Sequence, residues 1–139
     1  MKSAAFLRET FLLCTLFLTI VGCGGQAGDQ PDLGSVTGTV TLDEKPLAGV
    51  VVVFSPEKGR SSVGTTDSDG KYELIYVGDT KGANIGTHKI SITTALGETA
   101  DEGAAPVKET IPAKYNTQTT LTEEVKAGDN VIDLKLTSN

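Results

Sequence analysis

Apolar and polar side chains alternate along most of the chain after residue 35. In residues 36–42 the even positions are valine, glycine or leucine and the odd positions are threonine, which is typical of a strand with one buried face and one face in solvent. Gly38 falls on the buried face, which predicts that another backbone or a large core residue comes close there. Residues 50–54 form an unbroken apolar run, and this predicts a strand buried on both faces or nearly so.

Further strands follow at intervals of roughly ten residues, separated by turn residues. Asp69-Gly70 is typical of a tight turn, and Lys126–Asp129 is expected to join the last two strands as a hairpin. Residues 95–110 lack apolar periodicity and predict an exposed loop. No helical periodicity of useful length occurs. The pattern predicts seven strands in an all-β sandwich. Besides residues 36–42 and 50–54, the predicted strands are residues 61–66, 71–77, 87–93, 121–125 and 130–136.

The first 22 residues have the pattern of an export signal. Lys2 and Arg8 give a positive start, and residues 11–21 are uncharged, a stretch too short to span a bilayer. The run Ile20-Val21-Gly22-Cys23 is a lipobox, so we expect a lipoprotein signal peptide at 1–22 and a lipid on Cys23. The alternative is a plain or uncleaved signal peptide with an incidental cysteine.

Lipidation at Cys23 predicts how the mature chain is held. Several acyl chains, palmitate among them, anchor a protein stably where a single chain does not. Residues 23–34 then read as the lipidated cysteine and a flexible tether, because they are rich in glycine, glutamine and aspartate, and residues 35–139 as the folded domain. Gly24 rather than aspartate follows Cys23, which favours the outer membrane of a bacterial cell envelope over the inner one.

Charge narrows the classes of partner. Loss of Lys2, Arg8 and Glu9 with the leader leaves 10 basic and 17 acidic residues, a net charge of −7. An acidic chain is a poor partner for nucleic acid and for an anionic bilayer surface. The expected membrane contact is therefore the lipid on Cys23. One domain of this length buries a real core.

Several segments resemble the carboxypeptidase regulatory-like domain, a transthyretin-like (prealbumin-like) sandwich, over about residues 35–94. The tail from Ile111 to Leu136 also looks like the ending of small bacterial lipoproteins that carry this domain. The resemblance implies the sandwich fold and an accessory, non-catalytic role, and it implies no substrate. The matching segments are Val36–Val40, Lys45–Phe54, Thr65–Leu74 and Gly86–Ile90.

No set of residues has the pattern of an active site, so we expect no enzyme, cofactor or metal. Asp67, Asp69 and Glu73 offer too few converging oxygens for calcium, and a turn explains them. His88 is the only histidine, too few for a zinc site, and its alternation with Ile90 and Ile92 predicts a core position. The serines have no base partner in sight.

Lys114 and Tyr115 are the candidate partner-binding residues, because aromatic and cationic neighbours on an irregular segment often serve recognition. The alternative is that Tyr115 only caps one end of the sandwich. The leading hypothesis is a lipid-anchored structural or binding module for an envelope protein or a glycan. The competing hypothesis is a solute-binding or enzyme-accessory lipoprotein that presents a ligand to a transporter or hydrolase.

The lipobox makes a direct prediction. Cys23→Ser removes the thiol that the lipid alkylates, so the variant is expected to keep its leader and to incorporate no labelled fatty acid, whereas Cys14→Ser should be processed normally. Fatty-acid labelling and the mass of the chain check this. Labelling of Cys23→Ser at the wild-type level would show that the assignment is wrong.

Overall fold

The computed structural model describes residues 31–94 and 108–139. The predicted leader, Cys23 and most of the predicted tether lie outside the described residues, as does the 95–107 part of the predicted loop. Residues Pro31–Asn139 belong to one compact unit. No helix in the described part of the chain is long and apolar enough to cross a membrane.

The fold is an all-β sandwich, as the alternation predicts. The described residues contain one turn of 3-10 helix, Ala113–Tyr115, and twelve strands. Three of the strands lie in segments that the pattern leaves as turns or loops, and two of the seven predicted strands, 71–77 and 130–136, are each split in two. The strands are β1 (Leu33–Leu42), β2 (Lys45–Pro46), β3 (Val50–Pro56), β4 (Ser62–Thr65), β5 (Lys71–Glu73), β6 (Ile75–Val77), β7 (Thr80–Lys81), β8 (Ala83–Asn84), β9 (Gly86–Thr94), β10 (Thr122–Val125), β11 (Gly128–Val131) and β12 (Leu134–Leu136).

Two sheets face each other across the core. In sheet one, β1 is central, with β11 and β12 parallel to it on one side and β8, β5 and β2 antiparallel on the other. Sheet two is antiparallel in the order β10-β9-β3-β4-β6-β7. The side chains between the sheets are almost fully buried, and the largest of those with essentially no exposure are Phe54, Leu74, Ile90, Ile92 and Leu136.

Gly38 lies where the prediction places it, on the buried face of β1 against another backbone. A Cβ there would overlap the carbonyl oxygen of Ile132 and lie 3.0 Å from the Tyr72 ring. The Tyr72 hydroxyl donates a 2.7 Å hydrogen bond to that same carbonyl, and the Ile132 amide donates to Thr37. The prediction of a close approach is confirmed, and the neighbour is both a backbone and an aromatic ring.

The predicted last hairpin is wrong. β10 pairs with β9 in sheet two, whereas β11 and β12 cross to sheet one and run parallel to β1. Asn130 directs this crossover, because its side chain accepts from the Lys126 amide and donates to the Lys126 and Ser35 carbonyls. The turn is thereby tied to β1 through the Ser35 carbonyl.

The structure corrects one other strand prediction and refines another. The predicted strand 71–77 changes sheets at Leu74, so it forms two strands, β5 in sheet one and β6 in sheet two, and the strand count exceeds seven. The Leu74 amide donates to the Val36 carbonyl in sheet one, and the Leu74 carbonyl accepts from the Gly82 amide. The run at residues 50–54 is fully buried on one face and half-buried on the other, at the lower limit of the predicted burial on both faces or nearly so. Its even positions are buried, but Val51 and Val53 lie half-buried on the outer face of sheet two.

The sandwich has two distinct ends. At the proximal end β1 begins at Leu33, beside Asn84 of β8 and the start of β11 at Gly128. At the distal end β1 finishes at Leu42, beside Leu136 of β12. A ten-residue strand spans about 30 Å, so the two ends lie well apart. The 3-10 turn lies at the distal end, because Tyr115 bonds to Thr137 just after β12.

The close approach at Gly38 yields a stability prediction. Gly38→Ala should lower the free energy of unfolding by at least about 2 kcal/mol, because the new methyl group must displace the Ile132 backbone. Gly49→Ala is the matched control, since Gly49 has a positive φ but open space around it, and about 1 kcal/mol is expected there. Urea denaturation measures both. Equal losses would contradict the Gly38 contact.

Candidate functional site

Lys114 and Tyr115 lie together at the distal end, in the 3-10 turn that follows Pro112. The Tyr115 ring is half-buried against the core, and its hydroxyl accepts a 3.0 Å hydrogen bond from the Thr137 amide. The Lys114 ammonium donates to the Thr137 hydroxyl at 3.1 Å and lies 5.1 Å from the Tyr115 ring centroid. Both residues therefore meet at Thr137, and Tyr115 also closes this end of the core.

The β1–β2 turn is attached to the same C-terminal residues. The Asp43 amide donates to the Leu136 carbonyl, and the Ser138 amide donates to the Asp43 carboxylate at 3.0 Å. Asp43 and Glu44 have φ angles of 50° and 68°, a left-handed conformation that costs side-chain-bearing residues roughly 1–2 kcal/mol each. The hydrogen bonds to the C-terminal residues help to hold this strained turn in place.

A surface cavity of about 450 Å³ opens beside this network. Buried Leu136 contributes to its lining, and Thr137 belongs both to the cavity and to the Lys114–Tyr115 network. We call the whole arrangement the distal site. Its residues are Thr41, Asp43, Glu44, Lys114, Tyr115, Lys135, Leu136 and Thr137.

Hydrogen bonding and nearby cations favour the charged form of two groups in the distal site. The Ser138 backbone amide and hydroxyl lower the pKa of Asp43, with a smaller contribution from Lys114. The Thr137 hydroxyl lowers the pKa of Tyr115, again with help from Lys114. The site thus combines a carboxylate that stays ionised with a polarised phenol and a neighbouring ammonium, a suitable set for polar recognition.

His88 is fully buried on the inner face of sheet two, as its alternation with Ile90 and Ile92 predicts. Its Nε2 lies 2.7 Å from the Asn84 carbonyl. Because a carbonyl only accepts, Nε2 carries the proton and Nδ1 is left as an acceptor. Nδ1 has no partner, and neither does the buried Ser62 hydroxyl. Sequence reasoning placed His88 inside but missed these unpaired atoms, which alternation alone does not mark.

The remaining candidates do not come together. Asp67 accepts from the amides of Asp69 and Lys71, both at 2.9 Å, so its carboxylate holds the turn. Glu73 instead forms an ion pair with Lys81 at 2.8 Å. Within residues 31–94 and 108–139, no three His, Cys, Asp or Glu side chains are grouped so as to hold a metal ion.

Comparison with known proteins finds little. No family model matches the chain, and no curated protein matches it. Among solved structures, the chain is similar to a DUF3823 family protein from Parabacteroides merdae ATCC 43184, with 16% sequence identity and a TM-score of 0.44. The match covers 76% of this chain and 46% of that one, so the chain spans under half the length of that protein. Neither fold nor activity is carried over from it.

Tyr115 is expected to ionise before a free tyrosine as the pH rises, and Tyr72 after it. Hydrogen bonds lower the pKa of Tyr115, whereas burial, reinforced by Asp133 and Glu123, raises the pKa of Tyr72. Tyr115→Phe should remove the first tyrosinate absorbance step.

Folding favours the neutral form of Tyr72, so the contribution of Tyr72 to stability is full below the unfolded-state pKa of about 10. Above that pH the contribution falls by about 1.4 kcal/mol per pH unit, and Tyr72→Phe should remove this slope.

Tyr76→Phe is the matched control for both measurements, because it removes the third tyrosine of the chain. This variant should keep the absorbance step that Tyr115→Phe removes and the alkaline slope that Tyr72→Phe removes. An unchanged first step in Tyr115→Phe, or an unchanged alkaline slope in Tyr72→Phe, would contradict the hydrogen-bond and burial assignments respectively.

Proposed function

We propose that this chain is a lipid-anchored cell-envelope protein whose β-sandwich serves, without catalysis, as a structural module or a module that binds another envelope protein or a glycan. The lipobox ending at Cys23 supports the anchor, and Gly24 after it supports the outer membrane. The observation that carries the binding role is the position of the distal site, at the end of the sandwich opposite the first residue of β1.

The direction of β1 puts the distal site at the end of the domain opposite to the one where an anchor at Cys23 would be attached. The described chain begins at Pro31 and joins the sandwich at the proximal end through Leu33. β1 then runs the length of the domain, and Lys114 and Tyr115 lie beyond its last residue. A lipid attached upstream of Pro31 therefore holds the proximal end, and the distal site is presented away from the bilayer.

The chemistry of the distal site suits a polar partner surface. Tyr115 offers a partly exposed ring with a cation beside it, and exposed Asp43 and Glu44 offer acceptors at the rim. The hydrogen bonds through Thr137 and Ser138 hold these groups in place before any partner arrives, which reduces the conformational entropy lost on binding. Amide, hydroxyl and ammonium groups of a protein, or the hydroxyls of a glycan, match such donors and acceptors.

The sandwich itself is proposed to be a carboxypeptidase regulatory-like domain. The matching segments fall on β1, on β2 with β3, on β4 with β5, and on the start of β9. This assignment supports an accessory role. A non-catalytic role is further supported by His88, whose Nε2 proton is engaged by the Asn84 carbonyl inside the core, where a solvent-borne substrate does not reach it.

One observation favours the competing function, a solute-binding or enzyme-accessory lipoprotein. The distal cavity of about 450 Å³ falls within the size range of small-molecule pockets, about 300–1,000 Å³. A solute seated there would raise the melting temperature of the domain in a concentration-dependent way, and the melting temperature of Thr137→Val, which lacks the hydroxyl shared with Lys114, would respond less.

A site-specific cross-linking experiment tests the leading proposal. A photo-reactive residue replaces exposed Ala113, beside Lys114 in the 3-10 turn, in the full anchored chain, and in a control chain it replaces exposed Lys58 near the proximal end. Irradiation of cells should give a discrete adduct from position 113 and not from position 58. Equal adducts from both positions, or none from position 113, would contradict a partner at the distal site.

A further inference from the structure

Two large apolar side chains are exposed at the proximal end of the sandwich. Ile85, between β8 and β9, is 44% exposed, and its amide donates to the Asp32 carbonyl just before β1 begins. Val77, the last residue of β6, is 43% exposed. β6 runs antiparallel to β4 and ends beyond the first residue of β4, so Val77 also lies at the proximal end. β6 and β8 are in contact with each other.

The turns at the proximal end carry no net charge. They contain three acidic and three basic side chains, whereas the described turns at the distal end contain five acidic and two basic ones. The proximal residues are Asp32, Glu57, Lys58, Arg60, Asp79 and Lys126. The distal ones are Asp43, Glu44, Asp67, Asp69 and Glu109 against Lys108 and Lys114. In an acidic chain, the proximal end is therefore the end that a negatively charged group repels least.

The proposed anchor keeps this end of the domain close to a bilayer. The described chain begins at Pro31, eight residues after Cys23. Eight residues reach at most about 28 Å at full extension, which is no more than the length of the sandwich. The lipid surface is therefore the partner that the proximal end encounters at the highest effective concentration.

The groups around Ile85 match a zwitterionic lipid headgroup. Glu57, Lys58 and Ile85 line the same surface cavity of about 360 Å³, and all three are exposed. A phosphate pairs with an ammonium such as that of Lys58, and the cationic amine of the headgroup pairs with a carboxylate such as that of Glu57. A single exposed isoleucine or valine is ordinary, but here the apolar, acidic and basic groups face the same tethered surface.

We propose that the proximal end lies directly on the lipid surface, with Ile85 and Val77 among zwitterionic headgroups. The proposal rests on the proposed anchorage and adds a second membrane contact to the lipid on Cys23. Membrane binding by a protein surface scales with the apolar area that it buries, so two side chains bind weakly and depend on the tether. The contact directs β1 away from the bilayer and holds the distal site about 30 Å above it.

Fluorescence quenching in vesicles tests the contact. The full chain, lipidated on Cys23, is placed in phosphatidylcholine vesicles in which some headgroups carry a nitroxide quencher. Cys14 and Cys23 are the only cysteines, and in the processed, lipidated chain neither offers a free thiol. Asp79→Cys therefore takes a single fluorescent label in a proximal turn, and Asp69→Cys is the matched control in a distal turn, because both aspartates are exposed. At least fivefold stronger quenching is expected at position 79.

A second substitution separates contact from mere proximity. Adding Ile85→Asp to the Asp79→Cys chain places a carboxylate where the apolar side chain meets the headgroups, and it should lower the quenching at position 79 at least twofold. Adding Val131→Asp, at a valine that is 75% exposed on sheet one, should leave the quenching unchanged. Circular dichroism of each variant checks that the sheets are intact, so that lost quenching is not mistaken for unfolding.

The anchor and the contact fail in different ways. Flotation of the labelled chain with the vesicles reports the anchor, and a chain that does not float would overturn the anchorage and the contact with it. Chains that float but are quenched equally at positions 79 and 69 would overturn the contact alone. Quenching at position 79 that Ile85→Asp does not lower would also overturn the contact, because the tether by itself would then account for it.

Discussion

The fold depends on the contact between Gly38 in the central strand and the backbone at Ile132. The C-terminal strand is interrupted there, between β11 and β12, and an interruption frees backbone groups that must find partners. The Tyr72 hydroxyl satisfies the Ile132 carbonyl, and the Asp133 carboxylate accepts from the Thr39 amide at 2.9 Å. Only glycine at position 38 leaves room for this arrangement.

The same closure builds the distal site. Because β11 and β12 run parallel to β1, Thr137 and Ser138 lie at the distal end, where Thr137 contacts Lys114 and Tyr115 and Ser138 contacts Asp43. A hairpin with β10 would have kept these C-terminal residues in sheet two. The strained β1–β2 turn and the half-buried Tyr115 are thus held by residues that reach them only through the parallel pairing.

The alternation of apolar and polar residues predicted the features that depend on a single strand. The two faces of β1, the close approach at Gly38 and the inward position of His88 all follow from a two-residue period. Pairing between strands did not follow, because an amphipathic strand looks the same in an antiparallel hairpin and in a parallel crossover. Asn130, which ties the last turn to Ser35, has no local signal for this role.

The distal site, too, could be predicted from the sequence only in part. Lys114 and Tyr115 stand out as a cationic and aromatic pair on an irregular segment, but their shared partner Thr137 lies more than twenty residues away in sequence. An apolar row on the outer face of sheet two was hidden for another reason. The unbroken run at residues 50–54 has no polar member to mark an exposed face, and only the register with β4 and β6 reveals that Val53, Val63 and Ile75 are neighbours.

The parallel pairing of the C-terminal strand with β1 is the central claim, and inter-strand nuclear Overhauser effects measure it directly. Contacts between the backbone protons of Val40 and Leu134, and of Leu42 and Leu136, are expected from the register. A pattern that instead joins residues 121–125 to residues 130–136 would show an antiparallel hairpin, and it would contradict the account of the core and of the distal site together.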